Sequence, residues 1–210
     1  MVHLTRIYTR LGDAGTTRLA DGAAVAKTDP RIRAEGAINE ACAHLGLAHE
    51  LAGAALARGD ETPGLDDVAR ILGRLLPEFF DVGGDFATPL GGGDGPAGRA
   101  LARRRIGREW VDRLEADCDG LNSRLLPLDS FLLPGGGILA AELHVATAVI
   151  RRAERTVWAV ADRDGLARAG GVNPWVPRYL NRASDLGFLL ARTATAPGKE
   201  VLWRAEPPAA

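Results

Sequence analysis

Between Leu65 and Thr88 the apolar residues Val68, Ile71, Leu72, Leu75 and Leu76 recur at intervals of three and four. A helix gathers such a series on one side, whereas a strand would divide it between two faces. The same spacing marks Arg31 to Arg58, through Ile38, Leu45, Ala48 and Leu51, and Arg108 to Leu125, through Trp110, Leu114, Cys118 and Leu121. Two further stretches, Ile138 to Asp162 and Pro174 to Thr193, read the same way. An apolar stripe must be covered, and helical stripes cover one another. The spacing therefore predicts an all-α protein, a bundle of about five helices. Composition agrees: Ala and Leu dominate, and aromatic residues make up only 5%, a mixture that favours helix.

A chain of 210 residues can bury a full core and is read as one domain over 1–210, with a leader over 1–30 and a flexible loop over 89–106. The loop begins "PLGGGDGPAG", Pro89 to Gly98, too rich in Gly and Pro to hold a helix. The basic run Arg99 to Arg108 that follows reads as a solvated helix start. With 26 basic and 27 acidic residues the net charge is -1, which gives no global attraction to nucleic acid or an anionic membrane. Cys42 and Cys118 are too few for a disulfide framework or a Cys-rich metal site, so a reducing cytosol is expected. No signal-peptide pattern opens the sequence, and no apolar run approaches membrane-spanning length. A soluble cytoplasmic protein is the expectation.

The chemistry-bearing stretches lie outside the stripes or interrupt them. "IYTRLGDAGTTRL", Ile7 to Leu19, offers hydroxyls at Thr9, Thr16 and Thr17 and cations at Arg10 and Arg18. Gly12 and Gly15 let the backbone approach a phosphate, and successive N–H groups form an anion nest. Asp13 can hold Mg²⁺ or a ribose hydroxyl, and Lys27 adds a point charge. This is not a P-loop, since no strand precedes it and no Lys follows the second Gly. On pattern alone a turn-rich tail fits equally well.

"FLLPGGG", Phe131 to Gly137, reads most simply as a Pro-Gly turn with Phe131 in the core. The next helix carries His144, Thr147, Arg151, Arg155 and Trp158 on one stripe. Arg151, Arg152 and Arg155 around Glu154 make either a polyanion site or a solvent-facing ion-pair ladder. In the last helix, "YLNRASDLGFLLAR" embeds Asn181, Arg182, Ser184 and Asp185 among apolar residues. Its plain structural reading is a satisfied buried network.

Together, "IYTRLGDAGTTRL", "KTDPRIRAEG", "FFDVGGDFAT", "FLLPGGG", "RRAER" and "YLNRASDLGFLLAR" resemble the ATP:cob(I)alamin adenosyltransferases of the PduO type, in family order and across nearly the whole chain. The resemblance implies a five-helix bundle, a homotrimer and active sites between subunits. It implies that cob(I)alamin attacks the 5′ carbon of ATP, giving adenosylcobalamin and triphosphate, with Mg²⁺ sharing the charge. It places ATP on the leader (Thr9, Arg10, Gly12, Asp13, Gly15, Thr16, Thr17), Lys27, Arg151, Glu154, Arg155 and Asn181. Phe131 would fill the lower face of the corrin, and Phe131 and Arg151 would be the catalytic pair. An adenosylcobalamin-dependent mutase is a possible recipient of the product. A Gly-rich leader of this kind would fold over ATP on binding.

The chain departs from the family pattern at two linked positions. "GAINEAC" puts Asn39 where the first helix usually carries Asp, with Ala41 for Leu and Cys42 for Asn. Thr147 stands where the fourth helix usually carries an Arg that pairs with this Asp near the corrinoid. Loss of one partner strands a charge, at roughly 3–5 kcal/mol; with both replaced, Asn39 and Thr147 can still hydrogen-bond weakly. Three functions are compatible with the change: a working adenosyltransferase with a retuned corrinoid side, a member recruited to other chemistry on ATP, cobalamin or another ligand, and a non-catalytic carrier or sensor of adenosylcobalamin.

Overall fold

The structure, a computed structural model, describes residues 8–91, 105–196 and 198–204. The expected flexible loop falls largely outside the described residues, as do Ile7 of the leader and Arg99, Arg103 and Arg104 of the basic run. Helices form where the periodicity places them: α1 Pro30–Ala57, α2 Leu65–Phe86, α3 Arg108–Asn122, α4 Ile138–Asp164 and α5 Trp175–Thr193. α1 begins where "TDP" dictates: Asp29 caps it by accepting from Arg31 N at 2.7 Å, and Pro30 fills the first turn. α2 runs through Pro77, which withholds one N–H from its ladder. The helical pattern does not foresee a small antiparallel hairpin in the leader, β1 Thr16–Arg18 with β2 Ala24–Ala26, in register Thr17↔Val25. Asp21 and Gly22, at φ 91°, close its turn, and Asp21 Oδ1 accepts from Ala23 N at 2.9 Å.

α1 lies between α2 and α4, α5 packs against α4 and α3 and touches α2, and the core fills the space among them. α1 contributes small residues, Ala34, Ala41, Ala48 and Ala52, so its neighbours approach closely; Leu72, Phe79, Leu143, Ile150, Tyr179 and Leu186 supply the volume.

Among the described residues, buried charges sit at stitched positions. Tyr179 donates to Glu78 at 2.8 Å, and Glu78 also accepts from Arg74 at 2.9 Å and Arg113 at 3.1 Å, joining α2, α3 and α5. Burial, with the carboxylate beside it, pushes the Tyr179 phenol well above its usual range. Two turns further along α2, Asp85 accepts from Ile106 N at 2.8 Å and Asn173 Nδ2 at 2.7 Å, which fixes the chain entering α3 against the start of α5. Where the leader meets the bundle, buried Arg31 donates to Phe86 O at 2.9 Å, Asp164 Oδ2 at 2.9 Å and Gly170 O at 3.0 Å.

Candidate active site

The leader folds into a cleft of about 610 Å³ bordered by Thr9, Arg10, Gly12, Asp13, Thr16, Thr17 and Lys27. Gly15, at φ 80°, turns the chain, donating to Gly12 O at 3.1 Å and accepting from Lys27 N at 2.9 Å. At Gly12 a Cβ would stand 2.9 Å from Lys27 Nζ, so a larger residue there would make the ammonium shift from its place beside the backbone. Glycine spacing and the distant lysine thus act together: the turn leaves room for the Lys27 ammonium beside Gly12. Arg10 lies over the Tyr8 ring at 5.6 Å, and Arg18 is spent on Gly22 O at 2.8 Å.

A second cleft, of about 590 Å³, is bordered by Phe131, His144, Thr147, Arg151, Arg155 and Phe188, among others. Phe131 is 79% exposed, which overturns the simple reading of it as a core residue. Its loop is set by neighbours rather than by burial. Gly136, at φ 90°, lies so close against the Thr195 side chain that a Cβ there would overlap it. Arg151 and Arg155 are both exposed, and neither has a carboxylate partner among the described residues; Arg151 Nε reaches only Ser184 Oγ, at 3.5 Å. Two unneutralised guanidinium groups one turn apart favour an anion. His144 sits edge-on to Phe188 with centroids 6.1 Å apart, and burial lowers its imidazole pKa.

The expected cluster of three arginines around Glu154 does not form. Arg152 turns to α1 and pairs with Glu40. Glu154 turns to α5, accepting from Asn181 Nδ2 at 3.1 Å, and both border a third cleft of about 570 Å³ with Trp158, Trp175 and Arg178. The three clefts share no bordering residue. Sequence patterning gave no notice of the tail segment, 198–204, which lies along the Phe131 loop as a one-bridge strand through the antiparallel pair Leu132↔Leu202. Its signals were a lone Arg192 on an apolar helix face and the "VLW" triplet, Val201 to Trp203.

Residues 7–194 match the family model for cobalamin adenosyltransferase. The chain belongs to that family. It is 46% identical over 203 residues to a corrinoid adenosyltransferase of Mycobacterium tuberculosis, covering 97% of this chain and 95% of the relative. It is 36% identical over 206 residues to a cobalamin adenosyltransferase of Cupriavidus metallidurans, covering 97% and 96%. Among solved structures it resembles a variant PduO-type ATP:corrinoid adenosyltransferase from Lactobacillus reuteri complexed with cobalamin and ATP. That match has TM-score 0.78 and 27% identity, over 95% of this chain and 100% of the other.

In this adenosyltransferase family member the two departing positions lie apart. Thr147 is buried, donates to Leu143 O at 2.7 Å and presses on Gly187 of α5. Asn39 is exposed, its Oδ1 directed at Gly83 of α2. The weak Asn39–Thr147 hydrogen bond expected from the sequence is not formed within the chain, because the two side chains leave different faces of the α1–α4 pair.

Proposed function

We propose that this family member is a corrinoid adenosyltransferase that moves the 5′-deoxyadenosyl group of ATP to cob(I)alamin and releases triphosphate. The observation that carries the reading is the cleft that exposed Phe131 shares with Arg151 and Arg155, which have no carboxylate partner among the described residues. One wall suits an apolar corrin face, and the other suits a polyanionic leaving group. In the reaction the cobalt electron pair forms the Co–C5′ bond while the C5′–O bond breaks, and its electrons depart with triphosphate. Arg151, Arg155, Lys27 and the leader N–H groups stabilise that growing charge once they have closed on the triphosphate. Phe131 offers cobalt no lone pair, so a corrinoid seated on it keeps that axial face bare, and reduction to cob(I)alamin becomes easier. Thr147, already bonded to its own helix, gives the corrinoid side a compact neutral floor rather than an ion pair.

The nucleotide residues occupy three clefts that share no border within one chain. A homotrimer resolves this: the leader of one subunit, with Thr9, Arg10, Gly12, Asp13, Gly15, Thr16, Thr17 and Lys27, closes ATP against Arg151, Glu154, Arg155 and Asn181 of the next. Mg²⁺ fits the leader's hard oxygens, Asp13 and the threonine hydroxyls. Among the described residues no group of three His, Cys, Asp or Glu gathers at one point, so triphosphate oxygens would complete the ion's shell, and bound there it would offset part of the negative charge. No described helix is long and apolar enough to cross a membrane. We place the enzyme in the cytoplasm, passing its product to an adenosylcobalamin-dependent enzyme such as a mutase.

The test mixes the protein with ATP, Mg²⁺ and chemically reduced cobalamin and follows the cobalt absorption bands. Conversion to adenosylcobalamin with one triphosphate per turnover is expected. No spectral change, together with no binding of either substrate, would overturn the reading.

A further inference from the structure

We propose that Arg192 and Glu200 form a latch that positions Phe131 by pinning the chain segment 198–203 along the Phe131 loop. Arg192 is 5% exposed at the end of α5. It donates through Nη2 to Leu126 O at 2.8 Å, at the start of the Phe131 loop, and through Nε to Glu200 Oε1 at 2.8 Å, at the start of the tail strand. One buried guanidinium thus holds both partners of a short antiparallel pairing. Beyond the latch, Leu133 N donates to Val201 O at 2.9 Å, Trp203 N to Phe131 O at 2.7 Å and Ser130 Oγ to Trp203 O at 2.6 Å. The Trp203 ring meets the Phe131 ring edge-on, with centroids 6.5 Å apart. Phe131 itself is too exposed for packing to fix its rotamer. The tail supplies the support that the core does not, and Arg192 and Glu200 are positioning residues rather than catalytic ones.

This inference rests on the adenosyltransferase reading for its consequence but not for its geometry, and its test has two arms. The first is amide hydrogen exchange of the protein without ligands. In Glu200→Ala the Leu133 and Trp203 amides exchange roughly tenfold faster or more, since a hydrogen bond to a charged group is lost, while amides of the α2 core keep their rates. The second uses cob(II)alamin with ATP. The fraction of four-coordinate cobalt, read by magnetic circular dichroism, falls in Glu200→Ala, kcat falls with it, and KM for ATP holds. Glu200→Gln, which keeps an acceptor for Arg192 Nε, restores both arms. Arg192→Lys, able to reach one of the two acceptors at a time, falls between. Unchanged exchange at Leu133 and Trp203 in Glu200→Ala would overturn the latch. Fast exchange with undiminished four-coordinate cobalt would overturn its role in positioning Phe131. A wild-type protein that binds no corrinoid would sink the functional reading instead, and the exchange arm would still judge the latch.

Discussion

The leader cleft and the Phe131 wall offer the same kind of asset, exposed side chains ready for a ligand, but they are held in opposite ways. The leader is ordered by its own turns, Gly12 to Gly15 and the β1–β2 hairpin, and reaches the bundle through a backbone bond from Ala20 N to Ala87 O at 3.3 Å. The Phe131 loop is held from three sides, by Thr195 against Gly136, by Arg192 on Leu126 O and by the paired tail strand. A grip on a flexible polyanion can form around its ligand, whereas a surface that denies cobalt an axial ligand works only if it stays where it is. The difference in support matches that difference in task.

The largest effect should come from breaking the grip on both of its sides. Arg151→Ala and Lys27→Ala are each expected to lower kcat/KM by roughly 10²–10³-fold, the scale seen when one preorganised charge-stabilising donor is removed. If the leader of one subunit and α4 of the next hold one triphosphate, the double variant falls short of the product of the two losses. Strict multiplication in steady-state kinetics would mean that the two cations serve different ligands.

Next in size is the wall. Phe131→Ala should cut turnover by roughly ten- to a hundredfold, about 1.4–2.8 kcal/mol in the barrier. It should do so by impairing reduction of bound cob(II)alamin, while ATP affinity by calorimetry holds. A parallel loss of ATP binding would put Phe131 in the grip and dissolve the contrast between the two regions.

The helices were legible because burial repeats: a residue such as Leu72 or Ile150 has neighbours three and four positions away with the same need. Even the N-cap of α1 was written locally, in Asp29 and Pro30. The hairpin was hidden because Thr16–Arg18 and Ala24–Ala26 are too short for alternation to register and are held by a turn instead. The site was legible as a set of residues but not as an arrangement. Spacing put Arg151, Arg152 and Arg155 near Glu154, yet which side of α4 each one leaves depends on neighbours, Glu40 for Arg152 and Asn181 for Glu154. The tail segment was illegible for a further reason: Arg192, which holds Glu200, also meets Leu126 across 66 residues of sequence, and no local pattern encodes a partner that far away.

A smaller effect concerns the floor of the corrinoid side, which belongs to the rigid region. Thr147→Arg must push a long side chain into the space where Thr147 meets Gly187, and overpacking of this kind costs about 1–3 kcal/mol. Asn39→Asp, on an exposed site, should stay within about 0.5 kcal/mol of wild type. The double variant should therefore unfold thermally like Thr147→Arg alone unless a neighbouring subunit pairs the two charges. Recovery that depends on protein concentration would reveal such a pairing, and adenosylation far above wild type would show that catalysis had been limited by its absence.

The smallest effect tests the anchor at the base of the leader, where Asp29, Arg31, Arg163 and Asp164 meet. Hydrogen bonding to Arg163 holds the Asp164 carboxyl below its ordinary value of 3.8, outweighing a rise from burial, and Arg31 adds to the lowering. A carboxylate with a depressed folded pKa contributes its stability fully above the unfolded value and loses it as pH falls through the folded one. Asp164→Asn removes that term, at about 1.5 kcal/mol, the low end for a hydrogen bond to a charged group, because Arg31 keeps Phe86 O and Gly170 O. The gap in unfolding free energy between wild type and variant should be constant above about pH 5 and close progressively below 3.8. Asp29 is also held low: burial raises its pKa, but the Arg31 N–H and Arg163 outweigh that rise. The variant should therefore keep a weaker acid transition of its own. Nucleotide affinity should change little, because this cluster fixes where the leader joins α1 and not how its loop closes on phosphate. A gap that stays constant down to strongly acid pH would mean that the Asp164 carboxyl titrates alike in the folded and unfolded chain and its charge adds nothing to stability, and the anchor would then rest on Asp29 and the helix cap alone.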